Sequence, residues 1–411
     1  MRILWLINRY WPAIGGAELH SQQTLAELVA RGHEVTVVTH WNANRTDWLR
    51  GTTIAAPQHT LRYRDPGGIG VVRLGYAPLR RARTILPAAT YYLRQAAASA
   101  SLAALIERDL LAACGDGWDI VHGVRTGREP LFLAGERLAR RLRVPYVFAP
   151  LHHPRWTGRR YQVYLDLYRR ADAVIALTEH ERRLYTELGV APSRIHVTGV
   201  GPVLPPSADG ARFRARLGIE AAPLVLFLGQ KYPYKGYEQL LRAAPAIWQQ
   251  QPEAVICFVG PRTASSRRLF ARVRDRRVVE LDTVDLQTKG DALAACDVFC
   301  LPSEQESFGG VYTEAWSYAR PAIARDIPAV REVITDGEDG LLLGGGSSAE
   351  LAAHIVRLLS DRALRERLGM AGQAKVLAGY TWQHVTNRLE QAYEHAIAAA
   401  SAAAPCAPVE R

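Results

Sequence analysis

The sequence has no long apolar run, few cysteines and very little lysine. No uninterrupted apolar stretch approaches the ~18 residues that a membrane-spanning helix needs. The apolar run that begins at Ile3 ends at Asn8, too early for a signal peptide. Five cysteines without paired CxxC spacing argue against a disulfide framework or a zinc site, and no D-x-D-like pair follows a predicted strand. We therefore expect reduced, buried thiols, no metal, and a cytoplasmic protein.

The positive charge is concentrated in the first half of the chain. Residues 1–200 contain 27 arginines against 16 acidic residues, which accounts for the whole net charge of +11. Only four of the 51 basic residues are lysines, and abundant arginine and alanine together suggest a coding bias rather than a nucleic-acid surface. The asymmetry itself favours an acidic partner for this half, either a membrane surface or a phosphorylated acceptor.

The length and the apolar pattern predict two α/β domains. A chain of 411 residues exceeds one ordinary core. Short apolar strands alternate with helical patterns, which is typical of a doubly wound parallel sheet, and the pattern restarts after the proline-rich residues 201–206. We place the domains at residues 1–203 and 204–381, and we expect a closing helix at about 382–398 and a disordered tail at 399–411. The predicted strands are Ile3–Ile7, Val35–Thr39, Ile120–His122, Tyr146–Ala149, Ala173–Leu177, Leu224–Leu228, Val255–Val259, Val278–Leu281, Val298–Leu301 and Pro321–Ala324.

Two glutamates eight positions apart, Glu306 and Glu314, form the most informative motif. They flank Ser307-Phe308-Gly309-Gly310 between a buried strand and a predicted helix at 311–318. Open α/β sheets bind ligands at the carboxyl ends of their strands, and glycines at a helix N-terminus expose amides that suit phosphate oxygens. A single glutamate is usually a solvated surface charge. A pair at this spacing instead favours a site in which one carboxylate holds a polyol and the other faces the reacting group.

This stretch resembles the donor-site signature of retaining glycosyltransferases of family 4, the group 1 transferases of GT-B fold. The resemblance covers nearly the whole chain and implies two Rossmann-like, doubly wound domains that face a cleft. It also implies that the closing helix crosses back to the first, acceptor-side domain. By this resemblance Glu306 touches the transferred sugar and Glu314 holds the ribose of the nucleotide. Ser307, Phe308, Gly309 and Gly310 would complete this part of the donor site.

The loop after the strand Leu224–Leu228 carries two of the four lysines. Lysine supplies a point charge for a diphosphate, although a single lysine is more often a surface residue. The family has an arginine directly after the glycine of this loop and a lysine five residues later. Here Lys235 matches the lysine but Gln230 replaces the arginine, so Lys231 is a candidate substitute. The backbone near Val279 to Leu281 is expected to receive the base.

Two strand ends of the first domain supply further candidates. Gly16 lies at a helix N-terminus, which suits an anion or an ordinary strand-to-helix turn equally well. The resemblance assigns Gly16 to the donor phosphate and sugar. A histidine after the strand Tyr146–Ala149 could contact the sugar or be structural, and the family position matches His152, with His153 as the second choice.

The basic cluster Arg80-Arg81-Ala82-Arg83 precedes an aromatic and aliphatic stretch at residues 85–94. Basic residues beside apolar ones are typical of contact with an anionic membrane. A solvated turn followed by a core helix fits the pattern equally well.

We therefore predict a retaining glycosyltransferase that moves a sugar from a nucleotide-diphosphate donor to an acceptor hydroxyl without a metal or cofactor. The biological role that we consider is the assembly of cell-surface glycans or glycolipids. If the acceptor is lipid-linked, the protein would act at the inner face of the membrane. One alternative is a GT-B protein that binds a nucleotide sugar without transferring it, and another is a nucleotide-sugar epimerase. The base, the sugar and the acceptor, whether sugar, lipid-linked or small molecule, stay open.

Overall fold

The computed structural model describes residues 1–13, 15–40, 49, 56–124, 129–152, 156 and 158–403. The chain forms two compact α/β units, Met1–Thr198 together with the segment from Trp382, and Gly199–Thr381. Each unit contains its own predominantly parallel sheet. The predicted α/β class and the two doubly wound sheets are therefore confirmed.

The first unit contains an eight-stranded sheet in the order β3-β4-β2-β1-β5-β6-β7-β8. Only the pairing of β3 with β4 is antiparallel among the described strands. The strands are β1 (Arg2–Ile7), β2 (Glu34–Thr39), β3 (Leu61–Arg64), β4 (Gly70–Arg73), β5 (Ile120–Val124), β6 (Tyr146–Ala149), β7 (Ala173–Ala176) and β8 (Ile195–Val197). The helices are α1 (Gly16–Ala30), α2 (Pro78–Thr90), α3 (Gln95–Cys114), α4 (Pro130–Leu142), α5 (Gln162–Arg170), α6 (Glu179–Glu187) and α15 (Trp382–Ala403).

Apolar side chains cover both faces of the central strands of this sheet. On β1, Leu4 and Leu6 pack on one face while Ile3 and Trp5 pack on the other. Burial on both faces explains why the strand reads as a continuous apolar run.

The last helix, α15, packs on the first unit. Nδ1 of His122 and the hydroxyl of Tyr393 are 2.6 Å apart, and Glu390 pairs with both Arg31 (2.5 Å) and His33 (2.7 Å). The helix ends at Ala403, five residues beyond the predicted end, so the prediction of a disordered tail is wrong for residues 399–403. These residues are mostly alanine, the strongest helix former, and they continue the helix. Residues 404–411 lie outside the described residues.

The second unit contains a six-stranded parallel sheet in the order β11-β10-β9-β12-β13-β14. Its strands are β9 (Leu224–Leu228), β10 (Val255–Val259), β11 (Val278–Leu281), β12 (Val298–Leu301), β13 (Ala322–Arg325) and β14 (Gly340–Leu343). Its helices are α7 (Gly210–Leu217), α8 (Tyr237–Gln250), α9 (Ala264–Phe270), α10 (Leu286–Ala295), α11 (Gly310–Ser317), α12 (Pro328–Arg331), α13 (Ser348–Ser360) and α14 (Arg362–Lys375). The strand order reverses between β9 and β12, which makes this the topological switch point of the sheet.

The strands that the sequence did not predict lie away from the sheet centres. They are β3, β4, β8 and β14, each of three or four residues. A short strand near a sheet edge has few residues in which to show a pattern. Among the described residues, no helix is both long enough and apolar enough to cross a membrane.

Candidate functional site

Two loops meet at the switch point of the second sheet, one after β9 and one after β12. The amide of Glu304 donates to the carbonyl of Tyr234 over 2.8 Å. Gly236, at φ +81°, approaches so closely that a Cβ atom there would lie 2.5 Å from the carbonyl oxygen of Pro302. Glycine alone satisfies both the positive φ and this approach. Backbone contact therefore holds the two predicted donor loops together.

This contact brings Lys235 to Glu306. The Lys235 ammonium lies 2.6 Å from Oε1 of Glu306, and the two side chains are 19% and 11% exposed. The ammonium also lies 5.5 Å from the ring centroid of Tyr234. The predicted phosphate-binding lysine and the predicted sugar-binding glutamate, 71 residues apart in sequence, thus form one partly buried ion pair.

Glu314, on α11, has a buried carboxylate whose two oxygens differ in their hydrogen bonds. Its Oε1 accepts from the Lys289 ammonium (2.8 Å) and from the Val203 amide (3.4 Å). Its Oε2 is buried and accepts no hydrogen bond from any residue in the described part of the chain. Burial raises the pKa of Glu314, while Lys289 and the Val203 amide act in the opposite direction. Sequence reasoning missed Lys289, for which the scarcity of lysine was the only available signal.

The residues between the two glutamates shape the start of α11. Gly309 has φ +81°, and a Cβ atom there would lie 2.3 Å from the ring of Tyr312. No side chain caps this end of the helix, so the amide of Gly310 at the start of α11 suits an anion, whereas the amide of Tyr312 already donates to the carbonyl of Gly309 (2.9 Å). Phe308 is buried against the ring of Tyr380, which makes it a packing residue, whereas Ser307 is half-buried.

Lys231 does not present a free charge. Its side chain is 0% exposed, and its ammonium donates to the carbonyls of Gly260 (2.5 Å) and Leu281 (2.6 Å) and pairs with Glu280 (2.7 Å). Burial lowers the pKa of Lys231, and Glu280 partly offsets this. These contacts join the ends of β10 and β11, and they engage the charge that Lys231 would need in order to replace the family arginine. Gln230 beside it is exposed.

Charged side chains flank the end of β11, where the base is predicted to bind. The carbonyl of Leu281 already accepts from Lys231 and from the Gly260 amide (3.3 Å). Glu280 accepts two hydrogen bonds from Nε and Nη2 of Arg262, at 2.8 and 2.5 Å. These partners hold the pKa of Glu280 below its usual value against the effect of burial. A base at this position would meet a fixed Arg262–Glu280 pair rather than an apolar wall.

In the first unit, the glycine turn after β1 depends on Gly15 more than on Gly16. A Cβ atom at Gly15 would lie 2.3 Å from the Glu18 carboxylate, which is itself buried and paired with Arg9 at 2.6 Å. A Cβ atom at Gly16 would meet no described atom within 4 Å. The surface over Gly16 is thus open at the start of α1.

The side chain of His152, at the end of β6, is buried, and contacts with neighbouring aromatic residues fix its position. Its Nδ1 lies 3.1 Å from the hydroxyl of Tyr168, and its ring makes edge contacts with Tyr168, Tyr185 and Trp156. Leu151 before it has φ +50°, an uncommon conformation for leucine. Its rigid placement suits a positioned hydrogen-bonding group. The second choice, His153, lies outside the described residues.

The basic cluster lies within α2, and two of its three arginines already have partners in the first unit. Arg80 pairs with Asp109 and lies 4.8 Å from the ring centroid of Tyr76, and Arg81 donates to the carbonyl of Ala56 (2.7 Å). Most of the large apolar side chains of this segment are exposed, although Tyr91 is buried, so the segment is not the core helix of the alternative prediction. Five large apolar side chains are each at least 59% exposed: Leu79, Ile85, Leu86, Tyr92 and Leu93.

Two family models match the chain. The model described as "Glycosyl transferase 4-like domain" matches residues 15–201, and the model described as "Glycosyl transferases group 1" matches residues 222–361. The second range contains both predicted donor loops, the one after β9 and the one after β12.

Curated relatives match part of their length. D-inositol 3-phosphate glycosyltransferase of Nocardia farcinica is 31% identical over 247 residues, 55% of this chain and 53% of the relative. Phosphatidyl-myo-inositol mannosyltransferase of Mycobacterium leprae is 37% identical over 172 residues, 41% of this chain and 46% of the relative. The chain thus spans about half the length of these relatives.

Solved structures share the fold over nearly the whole chain. Anabaena HepE in complex with UDP-glucose has a TM-score of 0.72 at 20% identity and covers 96% of this chain and 99% of its own. Sucrose-phosphate synthase of Thermosynechococcus elongatus has a TM-score of 0.70 at 21% identity, with 97% and 99% coverage. At these identities the likeness concerns the fold alone.

Proposed function

The chain belongs to the group 1 glycosyltransferases of GT-B fold, and from this membership we propose that it moves a sugar from a nucleotide-diphosphate donor to an acceptor hydroxyl with retention of configuration. One observation carries the proposal: the buried carboxylate of Glu314, beside the glycine loop, has an oxygen, Oε2, to which no described residue donates a hydrogen bond. A buried acceptor without a donor costs roughly 1–3 kcal/mol. The vicinal hydroxyls of a ribose would supply that donor.

The diphosphate would take its countercharge from the protein. Lys235 now neutralises Glu306, and in the donor complex its ammonium would turn to the phosphates and leave Glu306 to the transferred sugar. The first amides of α11, from Gly310, add partial positive charge at a helix N-terminus. We accordingly propose a reaction without a metal, in which the departing phosphate helps to take the acceptor proton. Gly16 and His152 keep their proposed contacts with the donor.

We propose a lipid-linked acceptor reached at an anionic membrane surface. One relative is named a phosphatidyl-myo-inositol mannosyltransferase. The exposed apolar residues of α2 and the turn after it lie next to the exposed arginines Arg83 and Arg94. Apolar side chains with basic neighbours suit the headgroup region, where each arginine contributes roughly 1 kcal/mol. Glycolipid assembly at the inner face of the membrane is the corresponding setting.

Product analysis with and without acceptor tests the transferase assignment. A transferase needs the acceptor, an epimerase converts the donor without it, and a silent binding protein does neither. Glu314→Ala should raise the KM for the donor, whereas Glu306→Ala should mainly lower kcat, because Glu306 faces the reacting sugar. Glu304→Ala is the matched control, since this exposed glutamate lies in the same loop. Wild-type kinetics in both site variants would refute the donor-site assignment.

Vesicle co-sedimentation tests the membrane proposal separately. The protein should sediment with anionic but not neutral vesicles, and salt should weaken binding because it screens exposed charges. Leu86→Ser and Leu93→Ser should weaken binding further. Leu377→Ser, at a similarly exposed leucine of the second unit, should not. Absence of binding at low salt would end the membrane proposal and leave the transferase assignment unaffected.

A further inference from the structure

Lys289 contacts the donor-site glutamate from a different helix. It lies on α10, and its ammonium is 2.8 Å from Oε1 of Glu314, 25 residues later in the chain. Both side chains are largely buried, at 15% and 9% exposed. A buried lysine loses side-chain entropy and hydration, so it is retained at a cost in free energy. This pair therefore calls for an explanation beyond a surface ion pair.

The protein donates hydrogen bonds to one oxygen of the Glu314 carboxylate and leaves the other without a donor. Lys289 and the Val203 amide both donate to Oε1. No donor among the described residues reaches Oε2. Because the carboxylate is planar, holding Oε1 from two directions sets the direction in which the lone pairs of Oε2 point.

The helix that carries Lys289 is itself firmly attached. Gly290 packs so closely on Pro205 that a Cβ atom there would lie 2.4 Å from the proline ring. Asp291 accepts from Nε of Arg212 at 2.6 Å and from the Asp209 amide at 2.8 Å. Lys289 thus extends from a helix that is held against the segment leading into the second unit.

We propose that Lys289 is a positioning residue for donor binding, which orients Glu314 so that Oε2 accepts from the vicinal hydroxyls of the donor ribose. Lys289 acts through Glu314 and does not touch the donor. This inference rests on the ribose role of Glu314 in the proposed function. It assigns to Lys289 the second task of keeping the carboxylate charged where burial favours its neutral form.

The electrostatic surroundings of Glu314 make this second task measurable. Burial raises the pKa of Glu314, and Lys289 and the Val203 amide lower it. Tyr318, just after the same helix, has a pKa raised by burial and by Glu314 and Asp291, so it stays neutral near pH 7. Without Lys289 the carboxyl would stay protonated to higher pH and would accept less well from a diol. Donor affinity should then recover as pH rises.

Lys289→Met, Lys289→Arg and a matched control test the proposal. The control is Lys375→Met, which removes the ammonium that pairs with the buried carboxylate of Asp339 in the same unit. The probe is whichever of the ribonucleotides UDP, GDP and ADP raises the melting temperature of the wild type most, because each has the vicinal hydroxyls that the proposal requires. We expect Lys289→Met to raise the Kd of this probe about tenfold or more at pH 7, and the difference from the wild type to shrink as pH rises. Lys289→Arg should restore binding, and Lys375→Met should lower only the melting temperature.

A double-mutant cycle with Glu314→Gln distinguishes indirect from direct action. In the Glu314→Gln background, Lys289→Met should cause no further loss, because Lys289 acts only through the carboxylate. Additive losses would show that Lys289 touches the donor and would overturn the proposal. The double variant also removes the unpaired buried charge, so it keeps the test usable if Lys289→Met alone does not fold.

Two outcomes separate this inference from the proposed function. If Lys289→Met binds the probe like the wild type at every pH while Glu314→Gln does not, the positioning role is refuted and the ribose role stands. If Glu314→Gln also binds normally, the ribose role fails, and the inference fails with it.

Discussion

Replacing Gly236 with alanine should separate the two loops that bring Lys235 to Glu306. The residue has φ +81°, where a Cβ atom costs roughly 1–2 kcal/mol. The new methyl group would also lie 2.5 Å from the carbonyl oxygen of Pro302 and 2.7 Å from its ring. The change therefore adds a steric clash between loops to the local strain.

The size of the displacement follows from these distances. A carbon and a carbonyl oxygen normally stay about 3.3 Å apart, so the loops must separate by roughly 0.8 Å. The pair between Lys235 and Glu306, now 2.6 Å, would lengthen or lose its alignment. A misplacement near 1 Å can cost about 10²-fold in rate when it affects reacting groups. We expect a loss of kcat/KM of this order.

Gly218→Ala is the matched control for backbone strain. Gly218 also lies in the second unit, at φ +65°, but a Cβ atom there would meet no described atom within 4 Å. Both variants should lose stability in urea unfolding, and only Gly236→Ala should lose donor turnover. Wild-type kinetics in Gly236→Ala, with a stability loss equal to that of Gly218→Ala, would refute the view that close approach of the loops sets the geometry of the site.

Three further predictions concern charge. Lys231→Met should lower the free energy of unfolding by roughly 3 kcal/mol, because it leaves buried oxygens unpaired. If the variant instead shows a raised KM for the donor at unchanged stability, Lys231 contacts the donor phosphates. Asp291 pairs with Arg212, which holds the pKa of Asp291 at about 2, below its usual value near 4. Its stabilising effect should be complete above about pH 4 and lost as pH falls toward 2, and Asp291→Asn should flatten that part of the stability curve. Activity should survive EDTA; loss that added Mg²⁺ or Mn²⁺ reverses would disprove the metal-free mechanism.

Elements with strong local patterns were predictable from the sequence. β9, β10 and β12 have the predicted limits, since a strand buried on both faces is a continuous apolar run. β11 also has the predicted limits, although its residues are only partly buried and include Glu280. The short strand β14 was missed, and α2 could not be assigned to surface or core. Its apolar residues fit a core face, and their exposure depends on which side the rest of the first unit covers.

The sequence by itself determined which residues are chemically suited to a donor site: the spacing of Glu306 and Glu314, and the lysine of the loop after β9. These are local features, because a strand, a glycine turn and a helix start extend over about a dozen residues. Only the tertiary structure decided the charge partners. The strand order places β9 beside β12, which pairs Lys235 with Glu306, and the packing of α10 gives Lys289 to Glu314 while Lys231 is buried. Such pairings join residues far apart in sequence, and no local pattern encodes them.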